Sequence, residues 1–282
     1  VFELTGRNAL ILSALGWAAY DLMRRELSRV HPPWLLVAGV TLLALPPLGL
    51  VVWWLESRPP SPEYWAPALL SVLFNVAANY GFFQALSQSG MAATLPMLSL
   101  TPLLAALLGR FVGGEPVEAR LLGGALLAVL GGLLLGWQGE GLRWNRGSAL
   151  MLGVAVFWSF TLLLDRKAVG ASSPWVHALV LHSGVALGSC VVLASRRELG
   201  RLSELRRTPG LLLAGVGVGA LALVLQLEAL MSVPVGWVET VKRAVGGVVA
   251  LAGGAFLYGE PVGLRHVLAV SLLLFGFALA LL

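Results

Sequence analysis

The sequence predicts an all-α membrane protein of ten transmembrane helices arranged as two inverted five-helix repeats. Three observations predict it. Hydrophobic residues make up 58% of the 282 residues and charged residues 12%, about half the charge of a soluble domain. The chain contains ten apolar runs, each close to the roughly 20 residues that carry a helix across a bilayer. It also repeats itself. Gly114-Glu115-Pro116 returns as Gly259-Glu260-Pro261, Trp17 as Trp158, Pro33-Trp34 as Pro174-Trp175, and Ala85-Leu86 as Ala229-Leu230. The near-constant offset marks a duplication of about 140 residues. Each copy holds five runs, an odd number, so the second copy enters the membrane from the opposite side.

The first copy, 1–140, places its runs at 8–23, 33–55, 65–87, 91–112 and 117–137. The second, 141–282, places them at 147–165, 174–194, 209–230, 234–257 and 263–282. Helix is the expected form because a backbone in lipid must satisfy its own hydrogen bonds. The alternating polarity of a membrane β-barrel is absent. Pro32-Pro33 opens the second run, and Pro59, Pro60 and Pro62 close the loop before the third. Pro174, Pro209 and Pro234 stand near helix starts, where a missing N–H does no harm. In the fifth run Gly124, Ala128, Gly132 and Gly136 recur every fourth residue. Such a smooth face allows close helix approach, and internal packing is expected in preference to a dimer face. Between the seventh and eighth runs, 195–208 carries Arg196, Arg197, Arg201, Arg206 and Arg207 and predicts an interfacial helix or loop.

The Gly-Glu-Pro tracts predict helix junctions. Gly114 and Gly259 can take a positive φ and end a helix. Glu115 and Glu260 would then favour the dipole of the next helix, with Pro116 and Pro261 at its first turn. The net charge of +5 sits mostly in short loops, the pattern of a membrane protein rather than of nucleic-acid binding. Cys190 is the only cysteine and is expected as a small packing residue. No cleavable signal peptide is visible, and the first run is expected to act as an anchor.

The tracts "LTPLLAALLGRFVGGEP" and "VKRAVGGVVALAGGAFLYGEP", each before a further apolar span, carry a resemblance. With the ten spans and two repeats, the chain resembles the drug/metabolite transporter superfamily, and within it the EamA-type ten-helix transporters. The resemblance covers nearly the whole chain and is almost silent on substrate. It implies secondary transport of small organic solutes, often export of amino acids or metabolites. It also implies a central cavity lined by the third, fourth, eighth and ninth helices with parts of the first and sixth.

The ninth run holds the most informative candidate site: Trp237, Glu239, Lys242 and Arg243. A charge inside the membrane normally faces a cavity or another charge. Glu239 reaches Lys242 at i+3 and Arg243 at i+4, so either a structural ion pair or an anchor for an anionic substrate group is open. Two cations against one carboxylate leave one positive charge in excess, which points to an anion-bearing substrate. Trp17 and Tyr20 in the first run, Asn75, Asn79 and Tyr80 in the third, Trp158 in the sixth and Gln226 in the eighth could complete the pocket. His177 and His182 share no helix face well, so a core or interfacial role is expected and metal binding is not. Asp21 and Asp165 stand beside Arg24 and Arg166 near span ends and predict interface pairs.

No ATP-binding Gly-rich loop, metal-ligand spacing or Ser/His/Asp arrangement stands out, so neither an enzyme nor a cofactor is expected. The predicted function is alternating-access secondary transport, as an exporter, of small organic solutes, with amino acids or related carboxylates first. A proton is the candidate coupling ion, the partners are the solute and the lipid bilayer, and the oligomeric state is left open. Alternatives are export of lipophilic cations, a lipid scramblase or membrane scaffold, and a membrane-embedded transferase. The expected location is the prokaryotic inner membrane. Eleven Lys and Arg fall on the face bearing 195–208 and six on the other. The positive-inside rule therefore places both termini outside, whereas the resemblance more readily places them inside.

Overall fold

In the computed structural model, residues 6–57, 59–116, 118–137, 146–259 and 261–281 are described. Glu260 of the second Gly-Glu-Pro tract, Arg58, Arg143 and the 140/141 repeat boundary lie outside them. The described residues form ten α-helices: α1 (Gly6–Ser28), α2 (Pro33–Trp54), α3 (Trp65–Thr94), α4 (Thr101–Phe111), α5 (Ala119–Gly136), α6 (Arg146–Gly170), α7 (Pro174–Ser195), α8 (Pro209–Leu230), α9 (Val235–Tyr258) and α10 (Leu264–Leu281). Short 3-10 helices at Pro62–Tyr64, Leu95–Leu100 and Leu199–Arg207 join some of them. Among the described residues, α2, α6, α7, α8 and most of α9 are each long and apolar enough to cross a membrane. Met97–Phe111, Ala119–Leu135 and Leu264–Leu279 are shorter apolar helical stretches.

Local sequence explains the ends. Prolines occupy the first turns of α2, α7 and α8, and the Ser173 hydroxyl accepts from the Val176 N–H to cap α7. Gly114 and Gly259 have φ of 68° and 65°, the left-handed conformation that glycine adopts without a Cβ clash. One boundary differs from expectation. A break was expected at 88–90, but α3 runs on to Thr94, and a 3-10 segment then leads into an α4 of only 11 residues. Gln88, Ser89 and Gly90 do not stop the helix, and Pro96 is the first residue of 85–97 that cannot continue it.

Helix packing follows the sequence repeat. α1 packs on α8 as α3 packs on α6, and α1 meets α9 as α6 meets α4; α2 pairs with α7, α4 with α9 and α5 with α10. Exchanging each helix for the one five places later leaves this pattern unchanged. The small-residue face of α5 packs internally: a Cβ on Gly124 would meet Trp237 and the Gly276 carbonyl, and one on Gly132 would meet Ser99. Large apolar side chains lie outside, with Phe111 80%, Phe256 88% and Trp54 76% exposed. A surface that apolar is stable only against lipid.

α1, α3, α5, α7 and α9 run from one face of the bundle, here face A, to the opposite face B, and the even-numbered helices return. Face A therefore holds the ends of α4, α6 and α8 and the starts of α7 and α9.

Candidate substrate site and the half-to-half latch

The charged turn of α9 enters the bundle from face A. Glu239 is 1% exposed, whereas the Lys242 and Arg243 side chains are 21% and 26% exposed. Lys242 Nζ pairs with Glu239 Oε1, and Arg243 Nε donates to Glu239 Oε2 at 3.2 Å. Thr101, at the start of α4, joins this pair. Its hydroxyl lies 2.9 Å from Glu239 Oε2 and accepts from Arg243 Nε at 3.0 Å. The buried carboxylate is thus fully compensated, as its desolvation requires.

Lys242 also reaches out of the pair. Its ammonium donates to Gln226 Oε1 of α8 at 3.2 Å and stands 5.9 Å from the centre of the Trp17 ring. Trp17 Nε1 is itself buried with no hydrogen-bond partner. From Trp17 an aromatic arc runs across three helices. Trp17 meets Tyr20 edge-on at 5.9 Å, and the Arg24 guanidinium lies 5.4 Å from the Tyr20 ring and 5.9 Å from that of Phe82. Phe82 in turn packs on Trp158 at 5.6 Å.

Folding therefore brings Trp17, Tyr20, Gln226, Glu239, Lys242 and Arg243 together, with Trp158 at the far end of the arc. Four other candidates lie elsewhere. Trp237 is 7% exposed and faces α5, where a Cβ on Gly124 would strike its ring. Tyr80 is 46% exposed and packs on Trp34 of α2 at 5.5 Å. Asn79 donates to the Asn75 carbonyl, and Asn75 donates to Ser71. Thr101 escaped the sequence reading; its one signal is a hydroxyl beside Pro102 at a helix start inside an apolar tract.

Two expectations about charges are corrected. Asp165 does not pair with Arg166: successive helical residues point about 100° apart. Arg166 instead donates to Glu115 Oε1 at 2.8 Å and to the Val233 carbonyl at 3.0 Å. Glu115 does not cap α5, which begins four residues later at Ala119. Its Oε2 accepts from the N–H of Val235, the first residue of α9, at 3.1 Å. The dipole argument holds for a helix N-terminus, but the helix belongs to the other half. Glu115 thereby latches the first half to α6 and α9 of the second at face A. His177 is a satisfied core histidine, as expected: 0% exposed and bonded to Asp165 and Tyr64. Among the described residues no group of three or more His, Cys, Asp or Glu could hold a metal.

Residues 5–137 match the EamA-like transporter family. No curated protein matches the chain. Among solved structures, one described only as the crystal structure of a protein superposes with a TM-score of 0.77 at 18% identity, over 98% of this chain and 96% of the other. It shares the fold. The family match over residues 5–137, in a chain whose second half repeats the first, bears out the resemblance to EamA-type transporters and is consistent with the drug/metabolite transporter superfamily.

Proposed function

We propose that this protein is a secondary transporter that exports small organic solutes bearing a carboxylate, amino acids and related metabolites first, by alternating access. One observation carries the reading. The Lys242 ammonium stands 5.9 Å from the centre of the Trp17 ring, and the Trp17 Nε1–H is buried without a partner. Both are donors. Glu239 is covered by Arg243 and Thr101 as well as by Lys242, so one positive charge remains uncompensated. Such a site offers an acceptor-bearing anion the hydrogen bonds it lacks. The same excess charge disfavours lipophilic cations. A scramblase needs a polar track across the whole bilayer. The groove of about 1010 Å³ between α3 and α6 runs only along the first turns of α3 and the last of α6.

Alternating access follows from the paired helices. In this reading the Glu115–Arg166 pair, which ties the end of α6 to the start of α9 at face A, is the latch whose release is the opening step. The prokaryotic inner membrane is the expected setting, with both termini outside on the charge count.

The test is uptake into proteoliposomes of pooled amino acids, organic acids, nucleosides and quaternary amines. Carboxylate-bearing solutes are expected to be taken up, and Lys242→Ala to lower their affinity about 10- to 150-fold, the worth of one charged hydrogen bond. Selective uptake of quaternary amines would overturn the reading. If Lys242 serves only to neutralise Glu239, the double variant Glu239→Ala, Lys242→Ala will transport like the parent.

A further inference from the structure

The described residues contain three buried carboxylates: Glu115, Asp165 and Glu239. Two of them are compensated by fixed cations, Glu115 by Arg166 and Glu239 by Lys242 and Arg243. Asp165 differs. It is 3% exposed, on the last turns of α6, and its hydrogen-bond partners are the Ser71 hydroxyl of α3 and the His177 imidazole of α7. His177 is the one titratable group paired with it.

The protonation pattern follows from valence. A carboxylate has no hydrogen to give, so His177 Nε2 carries one and donates to Asp165 Oδ1 at 3.0 Å. The neutral ring then has only Nδ1 as an acceptor, and the Tyr64 hydroxyl, 3.0 Å away, donates to it. Tyr64 stays a phenol, because burial and then the Asp165 charge push its pKa up. The unit Tyr64–His177–Asp165 therefore carries one negative charge in a dry site. One added proton on His177 Nδ1 makes an imidazolium against a carboxylate, with no net charge. The Tyr64 oxygen then accepts from Nδ1–H and its own hydrogen turns away. Desolvation favours the neutral, proton-loaded form.

The surroundings fit a proton port. The groove of about 1010 Å³ at face A is lined by Ser61, Glu63 and Ala66 on either side of Tyr64, and by Lys167 and Ser172. Ser172 Oγ is buried there without a partner, a place for water. Glu63 and Lys167 are exposed, Arg166 is turned to Glu115, and His182 bonds the Ala178 carbonyl. No fixed cation thus takes over the role of His177 among the described residues. The neighbour of Asp165 is Arg166, so the proton site and the latch share one turn of α6.

We infer that Tyr64, His177 and Asp165 form a single-proton binding site, fed from the groove at face A, that couples proton movement to opening of the Glu115–Arg166 latch. The coupling half of this inference rests on the transport reading; the proton site does not.

Two measurements test them apart. In the full chain labelled with ¹⁵N-histidine, the His177 signal, assigned by its loss in His177→Gln, is expected to gain one proton as the pH is lowered across the window in which the protein stays folded. Tyr64→Phe, which keeps the ring packing, is expected to shift that titration. A His177 signal fixed in one state across the window overturns the proton site. In proteoliposomes loaded with a pH dye, a solute from the pool is expected to drive proton flux through the parent protein. His177→Gln is expected to keep solute counterflow within about threefold and lose the proton flux. Proton flux retained by a folded His177→Gln overturns the coupling. Absence of any solute flux from the parent overturns the transport reading, and the coupling with it, while the titration still decides the proton site.

Discussion

Glu239 shows how a single residue is held charged inside a membrane. Its carboxylate meets two cations and one hydroxyl. Removing it leaves two half-buried cations with no counter-charge, so Glu239→Ala should lose stability, by less than the roughly 3–5 kcal/mol of breaking a fully buried pair, read as denaturant midpoints in detergent. Thr101→Val, which removes only the shared hydroxyl, should lose about 1–3 kcal/mol. His31, in the turn between α1 and α2, makes a separate pH prediction. It is 2% exposed and bonded to Thr208 at 2.8 Å. Burial, then Arg207, lowers its pKa, and Glu204 only partly offsets this. A histidine with a depressed folded pKa contributes stability above its unfolded value, about 6.5, and loses it as pH falls below that. Thermal unfolding should therefore show a smaller acid loss for His31→Gln than for the parent.

At the scale of the element, α5 and α10 test close packing. A Cβ on Gly276 would lie 2.8 Å from the Gly124 carbonyl oxygen, a backbone atom that cannot step aside. One on Gly123, on another face of α5, would meet only Leu279 at 3.8 Å. Gly276→Ala should therefore lose about 1–3 kcal/mol, the range for overpacking. Gly123→Ala should be neutral or gain a few tenths of a kcal/mol from helix propensity. Equal melting temperatures for the two variants would refute this account of the interface. The four-residue spacing of small side chains was visible in the sequence; which partners filled the groove was not. Trp237 comes from α9, Ser99 from the segment before α4, and Gly276 from α10.

Across the whole molecule, the latch joins the two halves through one side chain. Glu115 holds Arg166 and the start of α9 together, with Arg166 also bound to the Val233 carbonyl. Weakening it should favour the conformer open at face A. Val238, 1% exposed on the first turn of α9, is a reporter site. In a Cys190→Ser background, Val238→Cys should react with maleimide about tenfold faster when Glu115→Gln is added, the effect of losing a charged hydrogen bond of roughly 1.5 kcal/mol. Unchanged reactivity would mean that Glu115 only staples the fold.

The sequence by itself determined the class, the number of helices and the repeat. Those depend on hydropathy, on prolines and glycines at fixed places and on self-similarity, all of which are properties of the chain in order. It also singled out Glu239, Lys242 and Arg243, because three charges on one turn of an apolar run must answer to each other. Only the tertiary structure decided who the other partners are. Thr101 reaches Glu239 from 138 residues away, Glu115 reaches Val235 from 120, and Ser71 reaches Asp165 from 94. Neighbouring charges such as Asp165 and Arg166 suggest a pair when read along the chain. The helix turns them to different faces, one toward a histidine and one toward the opposite half. Burial is what forces each of these groups to find a partner, and burial is fixed by packing rather than by order along the chain.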